Sequence, residues 1–120
     1  MRRFEELRVW QDARILVRDI YTLTQNLKDY GFKDQIQRAA VSIMNNIAEG
    51  CDSGTDALFL RYLHIAKGSC AEAKSMLYLS EDLEYSTKEH SLELINKTQA
   101  IAGSIQKLID YLKKEQNNTK

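Results

Sequence analysis

Few residues in this chain could support chemistry. It carries two histidines, His64 and His90, and two cysteines, Cys51 and Cys70, beside 17 Asp+Glu and 17 Lys+Arg. A di-iron centre in a helical bundle takes a Glu from each of two helices and a Glu-x-x-His pair from each of the other two. The residue three before His64 is Arg61 and the residue three before His90 is Thr87, so neither imidazole has the carboxylate it would need on its own helical face. A thiol nucleophile needs a base within hydrogen-bond reach. His64 and Cys70 are separated by six positions at about 100° each, which turns them to different faces of a helix. There is no phosphate loop and no G-x-G-x-x-G run. The residues therefore predict no catalytic group, no metal, no cofactor and no small-molecule substrate. Cys70 reads as a small core residue.

Binding chemistry is better represented. Arg14 and Arg18 lie four apart, with Arg2, Arg3 and Arg8 before them, and Arg38, Arg61 and Lys67 follow on later segments. Together they could form a surface that tracks phosphates. The interleaved Glu5, Glu6, Asp12 and Asp19 give the competing reading of an ordinary solvated helix face. Val9, Trp10, Val17 and Tyr21 add a second apolar face to the first helix, the kind of surplus through which subunits meet. Glu72 falls where a heptad counted from Leu58 expects an apolar residue. It is either part of a buried polar layer with Thr98 and Gln99 or an edge carboxylate reaching water.

The elements that must position these groups are helices. The chain has 120 residues and no proline, and its apolar positions recur at helical spacing. Val9, Ala13, Leu16, Ile20, Leu23 and Leu27 form the seam of a first helix, expected to stop near Gly31 in the Lys-Asp-Tyr-Gly run, with Asp34 starting the next. Ile36, Ala40, Ile43 and Ile47 carry the second helix, expected to end at Gly50. A third, from about Thr55 to Leu83, bears two adjacent seams: Leu58, Tyr62, Ile65, Ser69, Met76, Leu79 and Leu83, and Phe59, Leu63, Ala66, Cys70, Ala73 and Leu77. Ser86 with Glu89 suggests a capping box opening a fourth helix along Leu92, Ile95, Gln99, Ala102, Ile105, Ile109 and Leu112. Residues 114–120 read as a mobile tail. Short connections make the expected fold a single all-α domain over 1–120, an antiparallel up-down-up-down four-helix bundle. Gly68 and Ser69 at the depth of Gly103 and Ser104 suggest a close approach of helices three and four.

Charge and composition narrow the function classes. A formal net charge of zero advertises neither nucleic acid nor an anionic membrane. No apolar run approaches the roughly 20 residues of a membrane span, and Met1 to Leu16 lacks the apolar stretch of a secretory signal. With two free thiols, the expected compartment is the reducing cytoplasm.

Phe4-x-x-Leu7-x-Val9-Trp10-x-x-Ala13, QIQRAAVSIMNNIAEG from Gln35 to Gly50 and FLRYLHIAKGSCAEA from Phe59 to Ala73 together resemble the bacterial four-helix-bundle family named for open reading frames in 23S rRNA intervening sequences. The NIAEG and IAKGS runs are the specific part. Met44-Asn45 stands where Pro-Ser is usual, and Asn26-Leu27 where a Phe-Pro end to the first helix is common. The resemblance implies an antiparallel bundle, commonly a homopentamer, without established enzymatic activity. It carries Arg38, Asn46, Glu49 and Gly50 over as family hallmarks, of which Asn46, Glu49 and Gly50, with Glu72, are read as structural rather than chemical. Relatives include basic accessory proteins of diversity-generating retroelements, which bind reverse transcriptase and nucleic acid. RNA or a ribonucleoprotein is thus the expected partner through Arg14, Arg18, Arg38, Arg61 and Lys67, and a protein-interaction scaffold near Trp10 and Tyr21 the alternative.

Overall fold

A computed structural model of the chain describes residues 3–118. A 3-10 turn, Phe4–Glu6, leads into α1 (Arg8–Thr24), α2 (Tyr30–Cys51), α3 (Asp56–Asp82) and α4 (Lys88–Asn118), with no strand among the described residues. Each helix follows its apolar seam. Ala13, Leu16 and Ile20 of α1, Ile36, Ile43 and Ile47 of α2, Leu63, Ala66 and Leu77 of α3, and Ile105 and Ile109 of α4 are all sealed from solvent in one core.

Side-chain pairs set the directions. Between α2 and α3, Gly50 abuts Phe59 and Tyr62, Ser42 meets Ser69, and Gln35 reaches Glu72, so one numbering falls as the other climbs. The same holds between α3 and α4, where Lys67 bonds Gln106 and Ser80 reaches Ser91 through Ser86. α1 packs on α2 and α4 but makes no contact with α3, which places α1 and α3 at diagonal corners of an antiparallel four-helix bundle.

The connections depart from the sequence expectations. α1 stops at Thr24, short of Gly31, and Gly31 lies in the first turn of α2. Asp29, not Asp34, caps α2 by accepting the Phe32 N–H at 3.2 Å. Leu27 still packs on the core, but from the connection. α2 runs one residue past Gly50, and the turn that follows uses Gly54, whose φ of +95° suits a residue without Cβ. Thr55 caps α3 through the Leu58 N–H. α3 closes in a Schellman arrangement: the Tyr85 N–H donates to the Ser80 carbonyl, the Glu84 N–H donates to the Glu81 carbonyl, and Glu84 takes the left-handed conformation. Thr87 rather than Ser86 accepts the His90 N–H and caps α4, because the Ser86 hydroxyl is engaged between Ser80 and Ser91.

One further expectation is corrected, and one question the sequence leaves open is decided for the exposed edge. A Cβ added at Gly68 or Gly103 would meet nothing within 4 Å, so these two glycines face open space and do not draw α3 and α4 together, and Ser69 bonds Ser42 of α2. Gln99 is exposed and Glu72 is exposed with only a 3.5 Å bond from Gln35, so no buried Glu72 layer exists. Thr98 is buried alone and satisfies its hydroxyl on the Leu94 carbonyl.

Asp29 also ties two connections together. Its second carboxylate oxygen accepts the Tyr85 hydroxyl at 2.7 Å, and the Tyr85 ring meets Phe32 edge-on at 5.1 Å. The Tyr85 hydroxyl, then the Phe32 N–H, hold the Asp29 carboxyl below its ordinary value of 3.8. A carboxyl lowered in the folded state contributes stability above its unfolded pKa, and that contribution disappears as pH falls through the folded value. Between about pH 5 and pH 2, urea unfolding of wild type should therefore lose more free energy than that of Asp29→Asn. Equal losses would show that the carboxylate does not carry the link.

Candidate functional site

The residues with the most reactive chemistry are scattered. Cys70 is buried, and burial pushes its thiol up to about 12, so it stays protonated and inert at neutral pH. Cys51 is buried and, like Cys70, forms no disulfide. Among the described residues no group of three or more His, Cys, Asp or Glu side chains is placed to hold a metal ion. No helix among them is long and apolar enough to cross a membrane.

The cations expected to bind phosphate are not gathered on one face. Arg14 and Arg18 are exposed on α1, Arg14 lying 5.6 Å from the centre of the Trp10 ring. Arg38 is engaged by Asp34 at 2.8 Å, and Lys67 donates to Gln106 at 2.5 Å on the α4 side of α3. Arg61 is exposed on α3, diagonal to α1, so these charges point away from the bundle in different directions. Of the flanking arginines, Arg3 pairs with Glu5 and Arg8 with Asp12, while Arg2 lies outside the described residues.

The apolar flank of α1 is only partly as the sequence suggested. Val9 is 7% exposed and belongs to the core, which its place on the Ala13–Leu16–Ile20 seam dictates. Trp10 and Val17 are half-buried and Tyr21 is exposed. Trp10 packs edge-to-face on Phe4, with ring centres 5.1 Å apart. Gln37 bonds Thr24, marking the side of α2 that faces α1, and helical spacing puts half-buried Val41 and Met44 on that side. The α1/α2 flank thus presents Trp10, Val17, Tyr21, Val41 and Met44, edged by Arg14 and Arg18.

The α2/α3 flank carries a second apolar surface. One seam of α3, with Leu63, Ala66, Ala73 and Leu77, is fully buried, whereas Leu58, Ile65, Leu79 and Leu83 on the neighbouring seam are 41–46% exposed. The sequence shows both seams but not which one the core takes. On the same flank the family residues make structural contacts. Asn46 donates to the carbonyl and hydroxyl of Ser42, and the Ser42 hydroxyl meets that of Ser69 at 2.8 Å. Gly50 brings α2 onto α3, and exposed Glu49 lines an open groove of about 530 Å³ with Phe4, Ala48, Asp52, Ser53, Leu58 and Tyr62.

Fold and surface together define a four-helix-bundle protein that offers open helix flanks and grooves to whatever it meets. Within that class the chain belongs to the 23S rRNA-intervening sequence protein family, whose model matches residues 5–107. It is similar in structure to a protein of unknown function from the S23 ribosomal protein family of Bacteroides thetaiotaomicron VPI-5482. The TM-score is 0.79 at 26% identity, over 84% of this chain and 97% of that one. No curated protein matches it.

Proposed function

We propose that this protein is a non-catalytic cytoplasmic building block that assembles with copies of itself into a closed ring and acts through that assembly. The observation that carries the reading is the open seam of α3. A helix whose second seam exposes Leu58, Ile65, Leu79 and Leu83 gains by burying them, and about 25 cal/mol per Å² of covered apolar area favours association. The α1/α2 flank supplies a different apolar surface on the same subunit. Contact between unlike faces is head-to-tail and closes only when the angle allows. Two flanks sharing one corner of a four-cornered bundle meet at roughly 90°, and faces at roughly 90–110° close a ring after about four or five copies. A homopentamer is consistent with that geometry.

Binding of RNA or a ribonucleoprotein has less support. The net charge is zero, and Arg14, Arg18, Arg38, Arg61 and Lys67 are distributed around the bundle, three of them already partnered by side chains. Light scattering of the purified protein, alone and with a structured rRNA fragment at low and physiological salt, tests both ideas. The expected result is a multi-subunit mass that Ile65→Glu reduces to the monomer, with no added RNA mass at physiological salt. A wild-type monomer would overturn the ring. RNA retained at physiological salt and lost on mutating the arginines would make nucleic acid the partner.

A further inference from the structure

The groove at the end of α2 has a chemistry of its own. Glu49 and Asp52 lie three residues apart, so their carboxylates share one face, and neither forms an ion pair among the described residues. The groove sits at the C-terminus of α2, a 22-residue helix whose last carbonyls add negative potential there. Its remaining lining includes the rings of Phe4 and Tyr62 and the side chain of Leu58. Two carboxylates beside aromatic surface suit a guanidinium, which takes bidentate hydrogen bonds and stacks on rings, better than a compact ammonium.

The same chain displays a matching group. Arg18 is exposed on the aromatic flank of α1, one turn beyond Arg14, and forms no ion pair among the described residues. Arg14 is already drawn over Trp10. Arg61 neighbours Leu58 and Tyr62 on α3 but is not part of the groove lining.

We infer that the Glu49–Asp52 groove of one copy receives the Arg18 guanidinium of the next copy, which fixes the register of the head-to-tail contact. The inference rests on the ring reading and names the polar pair that orients it. It makes Arg18 an assembly residue in place of a phosphate contact.

Charge reversal tests it. Arg18→Glu and Glu49→Arg, each made alone in the full chain, should weaken assembly about tenfold or more by light scattering over a concentration series. Both positions are exposed, so thermal melts should stay near wild type. The double variant should assemble alone, because every head-to-tail contact then pairs the two reversed charges. If both single variants assemble as wild type does while Ile65→Glu is monomeric, the ring stands and the Arg18 pairing falls. If wild type itself is monomeric, the ring reading has failed instead. Single variants that lose assembly while the double variant regains none would also overturn the pairing.

Discussion

Gly50→Ala should destabilise the protein by about 1–3 kcal/mol, although a Gly-to-Ala change within a helix ordinarily stabilises by up to about 1 kcal/mol. An added Cβ would stand 2.8 Å from both Phe59 Cδ1 and Tyr62 Cβ and 3.3 Å from the Phe59 carbonyl oxygen. The Phe59 ring can turn aside. The Tyr62 Cβ and the backbone carbonyl cannot, so α2 and α3 must separate and loosen the core around Leu63. Gly103→Ala is the internal control, since nothing lies within 4 Å of its added methyl group. It should raise stability by a few tenths to about 1 kcal/mol through helix propensity. Chemical denaturation of both variants checks the pair. Equal stabilisation at the two positions would show that helices α2 and α3 do not meet at Gly50.

The second large effect separates two residues that lie two apart in sequence. Leu63→Ala should cost about 2–5 kcal/mol, because Leu63 is sealed from solvent and its loss leaves a cavity in a close-packed interior. Ile65→Ala, at a side chain that is 46% exposed, should leave the unfolding free energy of the isolated subunit within about 1 kcal/mol of wild type. Urea titrations at concentrations low enough to keep subunits apart measure both. Similar costs at the two positions would place Ile65 in the core and remove the open flank.

Helix number, direction and most of the core are legible in the sequence, because 4-3 spacing leaves little choice once proline is absent. The end of α1 is not. Lys28-Asp29-Tyr30-Gly31 looks like a glycine stop, and Leu27 continues the seam, yet Asp29 caps the next helix instead. A local motif cannot show that Tyr85, 56 residues away, will hold that same carboxylate. The family comparison at Asn26-Leu27 marks the helix end more nearly than the glycine does. Ser86 misleads for a similar reason: Glu89 stands where a capping box wants it, but Ser80 and Ser91 claim the hydroxyl through tertiary contacts.

The surface was harder to read. Periodicity finds the two seams of α3 but leaves Glu72 open between a buried layer and a wet edge; the structure puts it at the exposed edge, although Ser69 and Met76 on the same seam are buried. Val9 and Trp10 adjoin in the sequence, but a 100° step puts the first in the core and the second on the flank. Glu49 and Asp52 were visible as residues, but their shared groove depends on Phe4 and Tyr62 arriving from other segments.

The cyclic arrangement of the helices also bears on how the chain reaches its native state. Among the four helices, every packed pair except α1 with α4 is consecutive in the chain. Three of the four interfaces therefore close short loops, which lowers the mean sequence separation of contacts and places the topology among rapid folders. The exception spans almost the whole sequence, and its Asp19–Lys97 ion pair joins positions 78 residues apart. Bringing α4 against α1 is the one assembly step whose entropy cost grows with the length of the chain between them.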